Sequence, residues 1–147
     1  MGTVLVVQTG DKPDQKLLSA AKKHAIGTET EILFCRIIDE KQFQNNLQRR
    51  VKSDRAVESV DDMEEIATTD AEAITKEAFG SDVPYTVVGI VGTIPDDLIQ
   101  LADERDCDHI FVSGKSRSPA GKAVFGDVAQ SIILHFDGPV TVTTMSS

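Results

Sequence analysis

The residues best suited to chemistry lie between positions 113 and 127. Ser113 and Gly114 close an apolar run and open a small, polar, basic stretch, Lys115-Ser116-Arg117-Ser118-Pro119-Ala120-Gly121-Lys122, which leads to Gly126 and a helical pattern. A small-residue loop running into a helix N-terminus can cradle an anion, because unpaired backbone N–H groups and the positive end of the helix dipole meet there. Lys115, Arg117 and Lys122 add positive charge to that loop. The competing reading is a solvated turn whose basic residues only balance nearby carboxylates.

Other chemistries fail on spacing. Gly114-Lys115-Ser116 imitates the end of a phosphate loop of the form G-x-x-x-x-G-K-S, but that pattern needs a glycine where His109 stands and a helix directly afterwards. Ser113, His109 and Asp108 suggest a hydrolase triad, yet Phe111-Val112-Ser113-Gly114-Lys115 lacks the glycine that a nucleophile elbow requires before its serine. His24, His109 and His135 are scattered, and each reads as a boundary or surface residue. Cys35 and Cys107 are far apart, without metal-ligand or redox spacing, and read as free thiols. Cys35 falls in an apolar run, and Cys107 in an Asp-rich turn.

The elements that must position the loop follow from apolar patterning. Continuous apolar, β-branched runs over 3–7, 32–38, 85–91, 109–113 and 140–143 predict five buried parallel strands. Leu17, Leu18, Ala21 and Ala25 share one face of a first helix, and Val60, Met63, Ala67, Ile74 and Ala78 one face of a long acidic second helix that stops near Gly80. Pro95, Asp96 and Asp97 suit the start of a third helix carrying Leu98, Ile99, Leu101 and Ala102. Val128, Ala129, Ile132 and Ile133 give the last. The stretch 40–55 is polar and reads as a long surface loop. Strands alternating with helices predict an open α/β sheet in which ligands bind beyond the carboxyl ends of strands, where strand order reverses. Loops 8–12, 38–39 and 113–127 then converge on the site.

The chain has 147 residues, which predicts one domain over 1–147, and 24 acidic against 15 basic residues give a formal charge of −9. That balance argues against nucleic-acid binding. No apolar run approaches the ~20 residues that a membrane helix needs, and the start lacks a secretory signal, so a cytoplasmic address is expected. The acidity reads either as ordinary solubility or as adaptation to high salt, where screening acts over roughly 3 Å at 1 M.

The run Asp106-Cys107-Asp108-His109-Ile110-Phe111-Val112-Ser113-Gly114, followed by Gly126 and by Pro139-Val140-Thr141-Val142, resembles the C-terminal signature of the universal stress protein family. Gly92-Thr93-Ile94-Pro95 with Leu98, Ile99 and Ala102 is similar to the same family, and the likeness extends over essentially the whole chain. The stretch 115–125 resembles versions found in salt-loving archaea. The resemblance implies a five-stranded parallel sheet with helices on both faces, a Rossmann-type three-layer sandwich like that of the adenine-nucleotide alpha-hydrolases. It also implies a homodimer through the C-terminal strand and, in one subgroup, bound ATP or AMP, with Mg²⁺ as a possible companion. Carried onto this chain, it places Thr9, Gly10 and Asp11 under the base or ribose and Ile37 beside the ring. Ser113, Gly114, Lys115, Arg117, Gly126, Asp127 and Val128 then surround the phosphates.

The chain departs from that subgroup's pattern of G-x-x-G, nine residues, then G-S or G-T. Gly114 matches the first glycine, Arg117 replaces the second, Gly126 comes one residue early, and Asp127 replaces the hydroxyl residue. The aspartate expected after the first strand falls at Thr9, with Asp11 two residues on. At roughly 4 Å and an effective dielectric near 20, Asp127 would repel a phosphate charge by about 4 kcal/mol, the free energy of a millimolar ligand. Mg²⁺ bridging the two would reverse the sign. The leading expectation is a regulatory, non-catalytic module with a degenerate nucleotide pocket. A dimeric interaction module without nucleotide comes second, and a weak ATPase or nucleotide transferase third.

Overall fold

The computed structural model describes residues 2–10, 12–40, 60–114 and 126–144. Five strands and four helices alternate: β1 (Thr3–Gln8), α1 (Gln15–Thr28), β2 (Glu31–Asp39), α2 (Val60–Phe79), β3 (Tyr85–Gly92), α3 (Asp96–Glu104), β4 (Cys107–Ser113), α4 (Gly126–His135) and β5 (Val140–Thr143). The strands pair in the order β3-β2-β1-β4-β5, all parallel, so the expected sheet is present with helices on both faces.

Strand side chains alternate between the two faces, and each face has its own apolar layer. Val4 and Val6 pack with Ile32, Phe34 and Phe111 against Leu17, Leu18, Ala21 and Ala25 of α1 and Ala71 and Phe79 of α2. On the other face Leu5 and Val7 pack with Leu33, Ile37, Ile110 and Val112 against Leu98 and Ala102 of α3 and Ala129 and Ile132 of α4. β1 is the central strand, and its Val4 to Val7 are essentially inaccessible to solvent. At Gly89 the sheet and α2 approach so closely that an added Cβ would lie 2.4 Å from the Thr68 nitrogen.

One local expectation changes. Cys107 is not in the turn but is the first residue of β4, and it is buried. Asp106 takes the left-handed conformation at φ 53° and ends the turn, so β4 starts at Cys107, two residues before the expected His109. Burial pushes the Cys107 thiol up to about 11 and the Cys35 thiol up to about 12. Both cysteines are free, and at neutral pH both stay protonated.

Candidate functional site

Strand order reverses between β1 and β4. The chain runs outward from β1 to β2 and β3 on one side, then returns to place β4 and β5 on the other. Val7 is opposite Val112, so the residues that follow, Thr9 and Gly10 on one side and Ser113 and Gly114 on the other, flank a crevice at the carboxyl ends of the strands. A Cβ added to Gly10 would meet nothing within 4 Å, which marks open space beside it.

The β1–α1 turn is held from below by two interior side chains. Gln8, 7% exposed, donates from Nε2 to the Gly10 carbonyl over 2.9 Å. Its Oε1 is buried without a hydrogen-bond partner among the described residues. Arg36, opposite Gln8 on β2 and 6% exposed, donates from Nη1 to the Thr9 carbonyl at 3.1 Å and the Ile37 carbonyl at 2.9 Å. A guanidinium is tolerated there because charge-assisted bonds to carbonyls offset part of its desolvation. Both carbonyls of the Thr9-Gly10 pair are thereby aimed inward.

Asp14 closes the other side. As N-cap of α1 it accepts at Oδ1 from the amides of Lys16 at 3.0 Å and Leu17 at 3.3 Å. Its Oδ2 accepts from Ser113 Oγ at 2.7 Å and Thr143 Oγ1 at 2.8 Å. The Gly114 amide donates to the Thr143 carbonyl at 2.7 Å, which completes a knot joining α1, β4 and β5. Burial alone would raise the Asp14 carboxyl, but donation from Ser113, Thr143, Leu17 and Lys16 outweighs it and holds the pKa below the usual carboxylate range. The carboxylate sits at the positive end of the α1 dipole, so this helix start is neutralised by the chain itself.

The other expected site residues are less concentrated. Ile37 is fully buried in the core, one strand away from the crevice, with its carbonyl occupied by Arg36. Gly126 and Asp127 open α4, and Val128 packs half-buried against the core. Asp11, Lys115, Arg117 and Lys122 lie outside the described residues, as does 41–55 of the expected surface loop. Among the described residues no three His, Cys, Asp or Glu side chains converge as a metal centre requires.

A profile of the Universal stress protein family matches residues 1–144. The chain belongs to the universal stress protein family. Solved structures of the family share the fold at low identity. A universal stress protein from Archaeoglobus fulgidus is 21% identical, with 97% of each chain covered and a TM-score of 0.58. A universal stress protein in complex with cAMP is 17% identical, with 99% of this chain and 98% of that chain covered and a TM-score of 0.59. The Archaeoglobus fulgidus protein in complex with dAMP is 17% identical, with 97% and 96% covered and a TM-score of 0.57. No curated protein matches the chain in sequence.

Against this family background, three residues that sequence reasoning passed over organise the crevice. Asp14 carried a readable signal, since an aspartate after Pro13 and three residues before the first apolar helix position is an N-cap pattern. Arg36 stood out as a charge inside an apolar strand run. Gln8 had no signal beyond its place at the strand end.

Proposed function

We propose that the chain is a regulatory module that holds an adenine nucleotide in the crevice between the ends of β1 and β4. The observation that carries this reading is the meeting of Thr9-Gly10 and Ser113-Gly114 where strand order reverses, the usual ligand position in open α/β sheets. Relatives of the same fold solved with cAMP and dAMP support it. The base or ribose would lie along Thr9, Gly10 and Asp11, near the Ile37 strand end. The phosphate would lie beyond Ser113 and Gly114 and meet backbone N–H groups of Gly126 and Val128, with Lys115 and Arg117 supplying charge.

In the family's pattern residue 127 adjoins the phosphates, and an aspartate there would repel one phosphate group less than a triphosphate, so AMP-type ligands would be favoured and ATP would call for Mg²⁺. The hydroxyl and the carboxylate beside the crevice, Ser113 and Asp14, are tied to each other and to the β5 and α1 ends, which supports binding over turnover. The module acts in the cytoplasm. Among the described residues no helix is long and apolar enough to cross a membrane.

The partner in this reading is a second copy joined at β5. This four-residue strand is an edge of the sheet and half-buried throughout, and an open edge invites pairing. Light scattering is expected to give twice the monomer mass in both low and multimolar salt. Calorimetry with AMP, cAMP and ATP, with and without Mg²⁺, tests the pocket. Binding of AMP-type ligands that tightens in an Asp127→Ser variant is the expected result. No heat from any of them at millimolar concentration would leave the second reading, an interaction module. The internal commitment of Ser113 and the α1 amides to Asp14 favours that alternative.

A further inference from the structure

The edge strand β5 has four residues, and both of its polar side chains end on titratable groups. Val140 and Val142 face the apolar layer of α3 and α4. Thr141 and Thr143 take the opposite face, where α1 lies. Thr143 donates to Asp14 at 2.8 Å, and Thr141 shares a 2.8 Å hydrogen bond with Nε2 of His109. In the backbone, the Ile110 amide donates to the Pro139 carbonyl at 3.1 Å and the Gly114 amide to the Thr143 carbonyl at 2.7 Å. The strand is half-buried throughout and stands at the edge of the sheet, so little apolar burial holds it. Elements of this kind open at the low end of local stability.

His109 is the group on which the first half of this strand rests. Its ring stacks on Phe111 at 4.5 Å and meets the ring of His24, on α1, at 4.7 Å. Among the described residues the titratable groups that face it are His24 on α1 and Asp108 on its own strand. Neither β5 nor β1, whose Val4 lies opposite His109, has an ionisable side chain. Burial and His24 disfavour charge on His109, and together they outweigh Asp108. A proton therefore sets a half-buried cation against a second imidazole. Helix α1 cannot yield, because Leu17, Leu18, Ala21 and Ala25 anchor it in the core. The edge strand can, and once it parts from His109 the ring meets water.

We propose that β5 is an acid-released strand: protonation of His109 beside His24 frees the half from Pro139 to Thr141, while Asp14 keeps hold of Thr143. A ring that takes its proton more readily in the released state favours docking above the ordinary imidazole range and release as pH falls through it. Asp14, held below the usual carboxylate range, remains an acceptor across that interval, so the strand swings on its Thr143 end. This is the edge proposed for a second copy, and acid withdraws it from pairing. The release itself does not rest on that pairing.

Amide hydrogen exchange of the full chain, followed by NMR at about pH 7.5 and pH 5.5 and corrected for the intrinsic rate, tests the release. Protection of the Ile110 amide, which bonds to Pro139, is expected to fall about threefold or more with acid. Its exchange is expected to ignore urea below the unfolding transition, whereas that of Val6 in the central strand accelerates with urea. His109→Gln keeps a hydrogen-bonding group beside Thr141 but does not titrate, and is expected to remove the acid fall. His24→Gln, at a half-buried position, is expected to lessen it with circular dichroism unchanged. Equal Ile110 protection at the two pH values overturns the proposal. Ile110 exchange that rises with urea in step with Val6, or an undiminished acid fall in either variant, overturns it as well.

Discussion

Thr143 donates its hydroxyl hydrogen to Asp14 over 2.8 Å, although 129 positions separate the two residues. The bond joins the last residue of the edge strand to the cap of the first helix. Because Ser113 donates to the same oxygen and the first α1 amides donate to the other, the ends of β4 and β5 and the start of α1 meet at one carboxylate. The crevice proposed for the nucleotide and the edge proposed for the partner therefore share a single support.

Removing that support has a measurable cost. Asp14→Ala deletes the α1 cap and leaves the Ser113 and Thr143 hydroxyls without their acceptor, an expected loss of about 1–3 kcal/mol in urea unfolding. Asp14→Asn keeps an acceptor oxygen and is expected to lose less. Because folding lowers the Asp14 pKa, its contribution is full above the ordinary carboxylate range and disappears as pH falls through the folded value. The Asn variant is expected to lack this acid limb.

Arg36 holds two carbonyls at the strand ends from inside the protein. Arg36→Met keeps the length but removes the donors, leaving the Thr9 and Ile37 carbonyls short of a partner. We expect a stability loss of about 1.5–3 kcal/mol, as for other charge-assisted hydrogen bonds. Weaker AMP binding is expected with it. Nucleotide affinity equal to that of the parent chain would show that the Thr9 carbonyl need not be fixed.

A third prediction concerns acid. His109 stacks on Phe111 at 4.5 Å, meets the His24 ring at 4.7 Å and shares a 2.8 Å hydrogen bond with Thr141 of β5. Burial, then the neighbouring His24, lowers its pKa from the usual 6.5, with Asp108 opposing. The unfolded chain then takes up this proton more readily than the folded one, so stability is full above the ordinary imidazole range and declines as pH falls below it. Urea midpoints are expected to drop between about pH 7 and pH 5, and His109→Gln to flatten that drop. An equal slope in the variant would place the acid sensitivity elsewhere.

Much of the fold was legible because its signals are local. The apolar runs of β1 to β5 and the α1 face of Leu17, Leu18, Ala21 and Ala25 repeat at spacings that only strands and helices produce. The boundary at Cys107 was not, since a single left-handed residue, Asp106, set it. The site was half legible. Thr9, Gly10, Ser113 and Gly114 follow from topology, but the carboxylate that organises them bonds across 99 and 129 positions, which no local pattern encodes. Asp11 of the β1–α1 turn and Lys115 and Arg117 of the 113–127 loop lie outside the described residues.

The central claim is a nucleotide at the β1–β4 crevice, and mapping AMP by amide NMR tests it most directly. Saturable shifts centred on Thr9, Gly10, Ser113 and Gly114, with a Kd below about 1 mM, are the predicted result. Shifts absent at millimolar AMP, or centred away from these four residues, would contradict it.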